Sequence, residues 1–108
     1  MHIRHFVLRH EGSIVEFSPD DAAKIAAGAK QVPEFAGERV RYLQVSVDDA
    51  SDSEIKIQTS GAAIRFDGNG KLTEAGPPTE KEVLSRFEHD ACVQWALKDL
   101  PTMPVTFH

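Results

Sequence analysis

The sequence predicts a single α+β domain over residues 1–108, with a mainly antiparallel sheet of about five or six strands. Short runs in which apolar and polar residues alternate fill the middle of the chain, as in strands that bury one face. Two other segments carry helix-start signals and apolar residues at helical spacing. We expect the order ββαββββα, with both helices covering the same face of the sheet.

The strands are predicted from alternation and from the turn residues between the runs. Two strands, over residues 3–9 and 14–17, precede the first helix. The central runs, 42–47, 55–58 and 63–67, place an apolar residue at every second position. Ser60-Gly61 separates the last two runs, which predicts a tight hairpin there. Gly68-Asn69-Gly70 predicts a turn into a short strand around Leu72.

The two helices are predicted from their capping residues. Ser18, followed by proline and two acidic residues, favours a helix start, and Gly28 favours its end. Thr79 and Glu82 have capping-box spacing, so a second helix is expected from there to Pro101. The core face of that helix is predicted to comprise Val83, Leu84, Phe87, Ala91 and Trp95.

The second predicted helix carries another apolar stripe on its far side. This stripe consists of Val93, Ala96, Leu97 and Leu100. A helix that is apolar on both sides must be covered on both sides. The cover is either the tail, residues 101–108, folding back within the chain, or a second copy in a symmetric dimer. We therefore interpret the stripe as a possible interface, and the sequence leaves both alternatives open.

The amino-acid composition indicates which compartment and which partners to expect. The single cysteine, Cys92, excludes an intrachain disulfide and favours a reducing compartment, so we expect a cytoplasmic protein. No run approaches the roughly 20 apolar residues of a membrane span. The net charge is -5. Because basic residues are not concentrated, nucleic acid is not expected as a partner.

The chemistry-bearing residues form no recognised catalytic, cofactor or metal motif, and no cofactor is expected. His89 and Cys92 are three residues apart on the second helix, the minimum needed to form a thiolate nucleophile. Without an orienting third group, a packed thiol is the favoured interpretation. A small basic set on the strands, Arg39, Arg41, Lys56 and Arg65, is interpreted as solvated positions opposite acidic neighbours.

The resulting functional hypothesis is a small cytoplasmic interaction or binding module, homodimeric and without catalytic machinery. The alternative is a small enzyme or ligand-binding protein that uses Cys92 and His89, or the basic strand positions Arg39, Arg41 and Arg65. The sequence identifies neither a ligand nor a protein partner.

Overall fold

A computed structural model describes residues 2–9, 11–48 and 55–98, together with the backbone of residues 105–107. It confirms the α+β class: an antiparallel sheet and two α-helices form the domain. The elements in chain order are β1 (His2–Leu8), β2 (Ile14–Phe17), α1 (Pro19–Ala26), a 3-10 turn (Pro33–Phe35), β3 (Arg39–Asp48), β4 (Ile55–Phe66), β5 (Leu72–Gly76), α2 (Arg86–Leu97) and β6 (Val105–Phe107).

The sheet has the order β2-β1-β3-β4-β5, with all of these neighbours antiparallel. β3 and β4 form its centre and pair continuously, from Arg39 opposite Arg65 to Asp48 opposite Lys56. β6 pairs in parallel with the beginning of β4, at residues 55–57. The tail of the chain therefore returns to the sheet and supplies the sixth strand after α2.

The predicted hairpin at Ser60-Gly61 is not formed. β4 runs without interruption through these residues, and Gly61 lies opposite Leu43 in the β3–β4 ladder. Gly61 is not among the glycines with positive φ, so it adopts ordinary extended backbone. The cross-strand partners in β3 stabilise one long strand where local turn chemistry favoured two short ones.

The two helices lie on opposite faces of the sheet, which differs from the expected single covered face. On one side, which we call face A, α2 packs over Phe6, Leu8 and Leu43. On the other side, which we call face B, α1 contributes Ile25 to a separate cluster. The members of that cluster are Val7, Ile25, Val32, Phe35, Val40, Ile64 and Phe66. Since neighbouring strand residues point to opposite faces, the continuous apolar run at residues 6–8 of β1 contributes to both clusters.

α1 begins and ends where the sequence predicts. The hydroxyl oxygen of Ser18 accepts a hydrogen bond from the backbone N–H of Asp21 at 3.1 Å, and Pro19 is the first helical residue. Gly28, at φ +75°, lies just beyond the helix end, where its backbone N–H donates to Ile25 at 3.1 Å. Ile25 is the buried residue of this short helix.

α2 begins later than predicted. Thr79 and Glu82 do interact, with the Thr79 backbone N–H donating to the Glu82 carboxylate at 3.0 Å, but they close a turn. The helix starts at Arg86 under a second capping box made by Ser85 and Glu88. The capping-box spacing of Thr79 and Glu82 is repeated six residues later by Ser85 and Glu88. The helix begins at the second pair, so the prediction from the first pair was too early.

The predicted core face of α2 is wrong at Val83 and Phe87. Phe87 is 84% exposed and Val83 is 60% exposed, whereas Cys92, Val93 and Ala96 are buried against the sheet. Leu84 and Trp95, also predicted as core residues, are partly buried and pack against the same cluster. The buried residues of α2 are thus small, with Trp95 packing beside them, whereas the larger Phe87 points outward.

The stripe predicted as an interface is thus the inward face of α2. Val93 and Ala96 are 1% and 3% exposed, and Leu97 packs against the same core cluster. Leu100 lies outside the described residues. At the three described positions the sheet covers this stripe, fully at Val93 and Ala96 and partly at Leu97.

Candidate functional site

A cleft of about 440 Å³ lies between α1 and face B of the sheet. Its helix wall includes Pro19, and its floor is formed by strand residues that also belong to the face-B core. The other apolar residues that line it are Phe17, Ala22, Ala23, Ile25, Ala26, Ala62, Ile64, Leu72 and Ala75. The strands β1 to β5 thus all contribute to one concave surface beneath a short helix.

Short side chains on both walls leave this space open. Ala22 and Ala26 project from α1, and Ala62 and Ala75 lie on β4 and β5. A methyl group fills far less volume than the branched side chains elsewhere in this cluster, so helix and sheet do not close on each other here. The cleft follows directly from alanine at these positions.

One part of the lining is polar. His5 Nδ1 lies 2.6 Å from the phenolic oxygen of Tyr42, and the Tyr42 hydroxyl donates to Gln44 Oε1 at 3.3 Å. The tautomer of His5 decides whether the imidazole or the phenol donates in the shorter contact, and the second ring nitrogen has the complementary role. All three residues line the cleft, where they form a hydrogen-bonded group among apolar neighbours.

Burial keeps this group uncharged. Desolvation lowers the pKa of His5 below its ordinary 6.5, against a smaller opposing effect of the Glu16 carboxylate. Desolvation also raises the pKa of Tyr42 above its ordinary 10.0. At neutral pH the imidazole is therefore unprotonated and the phenol is protonated. The polar part of the cleft offers neutral donors and acceptors.

The basic residues predicted from the sequence as a possible site do not line this cleft. Arg39, Arg41 and Arg65 share face A, where each forms an ion pair with a glutamate, while Lys56 lies on face B. The closest N···O distances are 2.7 Å for Arg39 with Glu82, 2.6 Å for Arg41 with Glu88 and 3.9 Å for Arg65 with Glu74. The Arg39 guanidinium holds the pKa of Glu82 down to about 2. These arginines position residues 74–88 across face A.

The structure does not assemble a reactive thiol from Cys92 and His89. Cys92 is 0% exposed, and burial, with a smaller contribution from the charge of Glu88, raises the pKa of its thiol to about 11. His89 Nε2 lies 3.0 Å from the hydroxyl oxygen of Thr59, on β4. The imidazole therefore contacts the sheet, and the thiol packs in the core.

The grouping of His5 with Tyr42 and Gln44 was not predicted from the sequence. Alternation placed Tyr42 and Gln44 on the polar side of their strand, where solvation is the ordinary outcome. The available signal is the register of β1 and β3: His5 lies opposite Gln44, and Val7 lies opposite Tyr42. The pairing of β1 with β3 brings His5 beside Tyr42 and Gln44. The residue pattern of either strand alone does not reveal this contact.

Comparisons with protein-family models, curated proteins and solved structures give no match for this chain. Within the described part of the chain, no group of three or more His, Cys, Asp or Glu side chains is placed to hold a metal ion. None of the helices described is long and apolar enough to cross a membrane. Function is therefore inferred from the cleft itself.

Proposed function

We propose that the protein binds a small, mainly apolar molecule that carries one uncharged hydrogen-bonding group. The observation that carries this proposal is the hydrogen-bonded set His5, Tyr42 and Gln44 in the lining of an otherwise apolar cleft. The volume of about 440 Å³ lies within the roughly 300–1,000 Å³ typical of small-molecule sites. Such sites combine apolar walls with a few polar groups that orient the ligand.

The charge state of the polar group restricts the ligand. A neutral imidazole, which donates from one nitrogen and accepts at the other, and a protonated phenol suit an alcohol, amide or carbonyl better than an ion. An ionic group would lose its hydration in the apolar cleft without a charged partner among the lining residues. We favour binding over catalysis because the lining is mostly apolar with a few neutral polar groups, which is the pattern of a ligand site.

A cleft-filling substitution with a neighbouring control tests this proposal. Ala26 lines the cleft, whereas Ala27, the next residue, is exposed and not part of the lining. We would screen a library of uncharged aromatic and aliphatic fragments, each with one hydroxyl, amide or carbonyl, by thermal shift against the full chain. Fragments that bind the native state raise its melting temperature.

The expected result is that some fragments stabilise the wild type and Ala27→Leu but lose their effect on Ala26→Leu. Fragments that also lose their effect on Tyr42→Phe would identify the polar end as the site of the hydrogen bond. The proposal is contradicted if no fragment stabilises the wild type, or if the active ones stabilise Ala26→Leu equally.

A second candidate function is protein binding, with a homodimer as its simplest form and the cytoplasm as its location. Two large apolar side chains remain outward on the α2 side, Phe87 at 84% and Val83 at 60% exposure. Exposed aromatic residues are enriched at the centres of interfaces. Light scattering should then give twice the chain mass, and Phe87→Ser should restore the monomer. A wild-type chain that is monomeric at every concentration excludes the homodimer.

A further inference from the structure

His5 is a group in the cleft lining that can change its charge close to neutral pH. Its imidazole lies 2.6 Å from the Tyr42 hydroxyl, which stays protonated over that range. Among the described residues that line the cleft, none is an aspartate, glutamate, lysine or arginine. A proton on His5 therefore places a positive charge in an apolar space whose described lining offers no counter-charge.

The charged groups on the elements around His5 are paired outside the cleft. These elements are β2, β3 and α1. On β2, the Glu16 carboxylate accepts from Arg4, with 2.7 Å between Arg4 Nη2 and Oε1. On α1, the acidic residues form ion pairs at 3.0 Å: Asp20 with Lys24, and Asp21 with Lys30. On β3, the groups beside His5 are Tyr42 and Gln44, which carry no charge at neutral pH.

A molecule in the cleft would increase the burial of His5. Desolvation by the protein alone already lowers the pKa of His5 below 6.5, against the smaller opposing effect of Glu16. A ligand that fills the cleft replaces water beside the imidazole with apolar surface, so the protonated form is disfavoured further. Coupling between two binding events is reciprocal. A ligand that weakens proton binding must therefore itself bind the protonated protein more weakly.

We propose that the cleft releases its uncharged ligand on mild acidification, because a proton on His5 and a molecule filling the cleft exclude each other. This inference rests on the proposed function, since the ligand must lie beside His5. It adds a regulator, the proton, and identifies His5 as the group that responds to it.

Release does not require the polar group to come apart. The neutral imidazole donates from one nitrogen and accepts at the other, whereas the protonated ring donates from both. Tyr42 can accept from the protonated ring and donate to Gln44, which lies 3.3 Å away. The three side chains thus stay hydrogen-bonded when His5 is protonated. The cleft becomes charged while its walls remain in place, so affinity changes without unfolding.

Ligand affinity as a function of pH tests the proposal on the full chain. The probes are benzyl alcohol, benzamide, acetophenone and other uncharged fragments that raise the wild-type melting temperature at about pH 7.5. These compounds do not ionise between about pH 5 and 8, so only the protein titrates. Their dissociation constants should be level above about pH 7 and should rise about threefold or more by pH 5.

Three variants identify the responsible group. His5→Gln forms hydrogen bonds but does not titrate, so its affinity for the same probes should not depend on pH. His89→Gln makes the same change on α2, outside the cleft lining, and should retain the wild-type dependence. Glu16→Gln removes the anion that raises the pKa of His5, so the loss of affinity should move to lower pH. A purely structural role of His5 would not produce that shift.

NMR titration of the His5 Cε1 proton measures the same coupling in the wild type and needs no variant. The pKa of His5 should be lower with a saturating probe than without one. An unchanged pKa, equal affinity across the pH series, tighter binding in acid, or pH dependence retained by His5→Gln would each overturn the proposal and leave the proposed function intact. If no fragment binds even at neutral pH, the proposed function fails and this inference fails with it.

Discussion

His5 and Tyr42 are hydrogen-bonded across two neighbouring strands, with 2.6 Å between the imidazole Nδ1 and the phenolic oxygen. They are diagonal neighbours on face B, since His5 pairs with Gln44 and Tyr42 pairs with Val7. Their rings are stacked, with centroids 6.0 Å apart. The contact joins β1 to the centre of the sheet at the floor of the proposed ligand cleft.

The titration of His5 predicts a loss of stability on mild acidification. Burial lowers the pKa of folded His5 below 6.5, so below that pH the unfolded state binds more protons than the folded state. The free energy of unfolding should fall as pH decreases from 6.5 to the folded pKa, and this contribution should then level off. Urea unfolding at a series of pH values between about 7.5 and 5 measures it.

His5→Gln should remove this pH dependence because glutamine forms hydrogen bonds but does not titrate. Equal pH dependence in wild type and His5→Gln would show that another group is responsible.

The ion pair of Glu82 with Arg39 predicts a second, more acidic transition. The pKa of folded Glu82 is about 2, against an ordinary 4.5, because the carboxylate accepts from Arg39 and from the Thr79 backbone N–H. Its contribution to stability is complete above pH 4.5 and is lost as pH falls from 4.5 towards 2. Glu82→Gln should lose less stability than wild type over that interval, measured by urea unfolding.

Glu80→Gln is the control for this prediction because Glu80 is exposed in the same segment. It should follow the wild-type acid profile. If Glu80→Gln and Glu82→Gln have the same profile, the Arg39 contact does not stabilise the fold.

The orientation of α2 predicts opposite outcomes for its two large aromatic residues. Trp95 packs edge-on against Phe6, with ring centroids 5.7 Å apart, and is partly buried. Trp95→Ala should lower the free energy of unfolding by about 2 to 4 kcal/mol. Phe87→Ala, at a side chain that is 84% exposed, should change it by less than about 0.5 kcal/mol. Denaturant unfolding of both variants measures the difference, and the reverse order would place the other stripe of α2 against the sheet.

The buried thiol predicts slow chemistry in the native state. With a pKa of about 11 instead of 9.0, Cys92 has about 100-fold less thiolate at pH 8 than an unperturbed cysteine. Burial adds a steric barrier. Labelling by a disulfide reagent should therefore be at least about 100-fold slower in buffer than in denaturant. Rapid native labelling that His89→Ala abolishes would support the alternative of a catalytic thiol.

Much of the fold was predictable because its local signals agree with its long-range contacts. Ser18 and Gly28 delimit α1, and Asp67 accepts backbone hydrogen bonds from Asn69 and Lys71 in the predicted turn. The prediction fails where a local signal competes with pairing. Ser60-Gly61 has turn chemistry, yet β3 holds it in a strand.

The candidate site was not predictable from single elements. Tyr42 and Gln44 alternate with buried residues exactly as solvated positions do, and only the partner strand adds His5. The choice between the two stripes of α2 likewise depends on contacts with the sheet. Helical spacing allowed either stripe to face inward, and the structure buries the one that contains Cys92 and Ala96.

The placement of the two core clusters on opposite faces affects how the protein opens. Each helix packs on its own cluster, so we expect α1 to open locally without disturbing α2 on the other side of the sheet. α1 has eight residues and contributes Ile25 as its buried residue, so its detachment exposes little apolar surface and leaves the α2 contacts intact. Because the cleft lies beneath α1, any molecule that fills it also holds that helix closed. The lifetimes of the α1 amide protons therefore report directly on occupancy of the cleft.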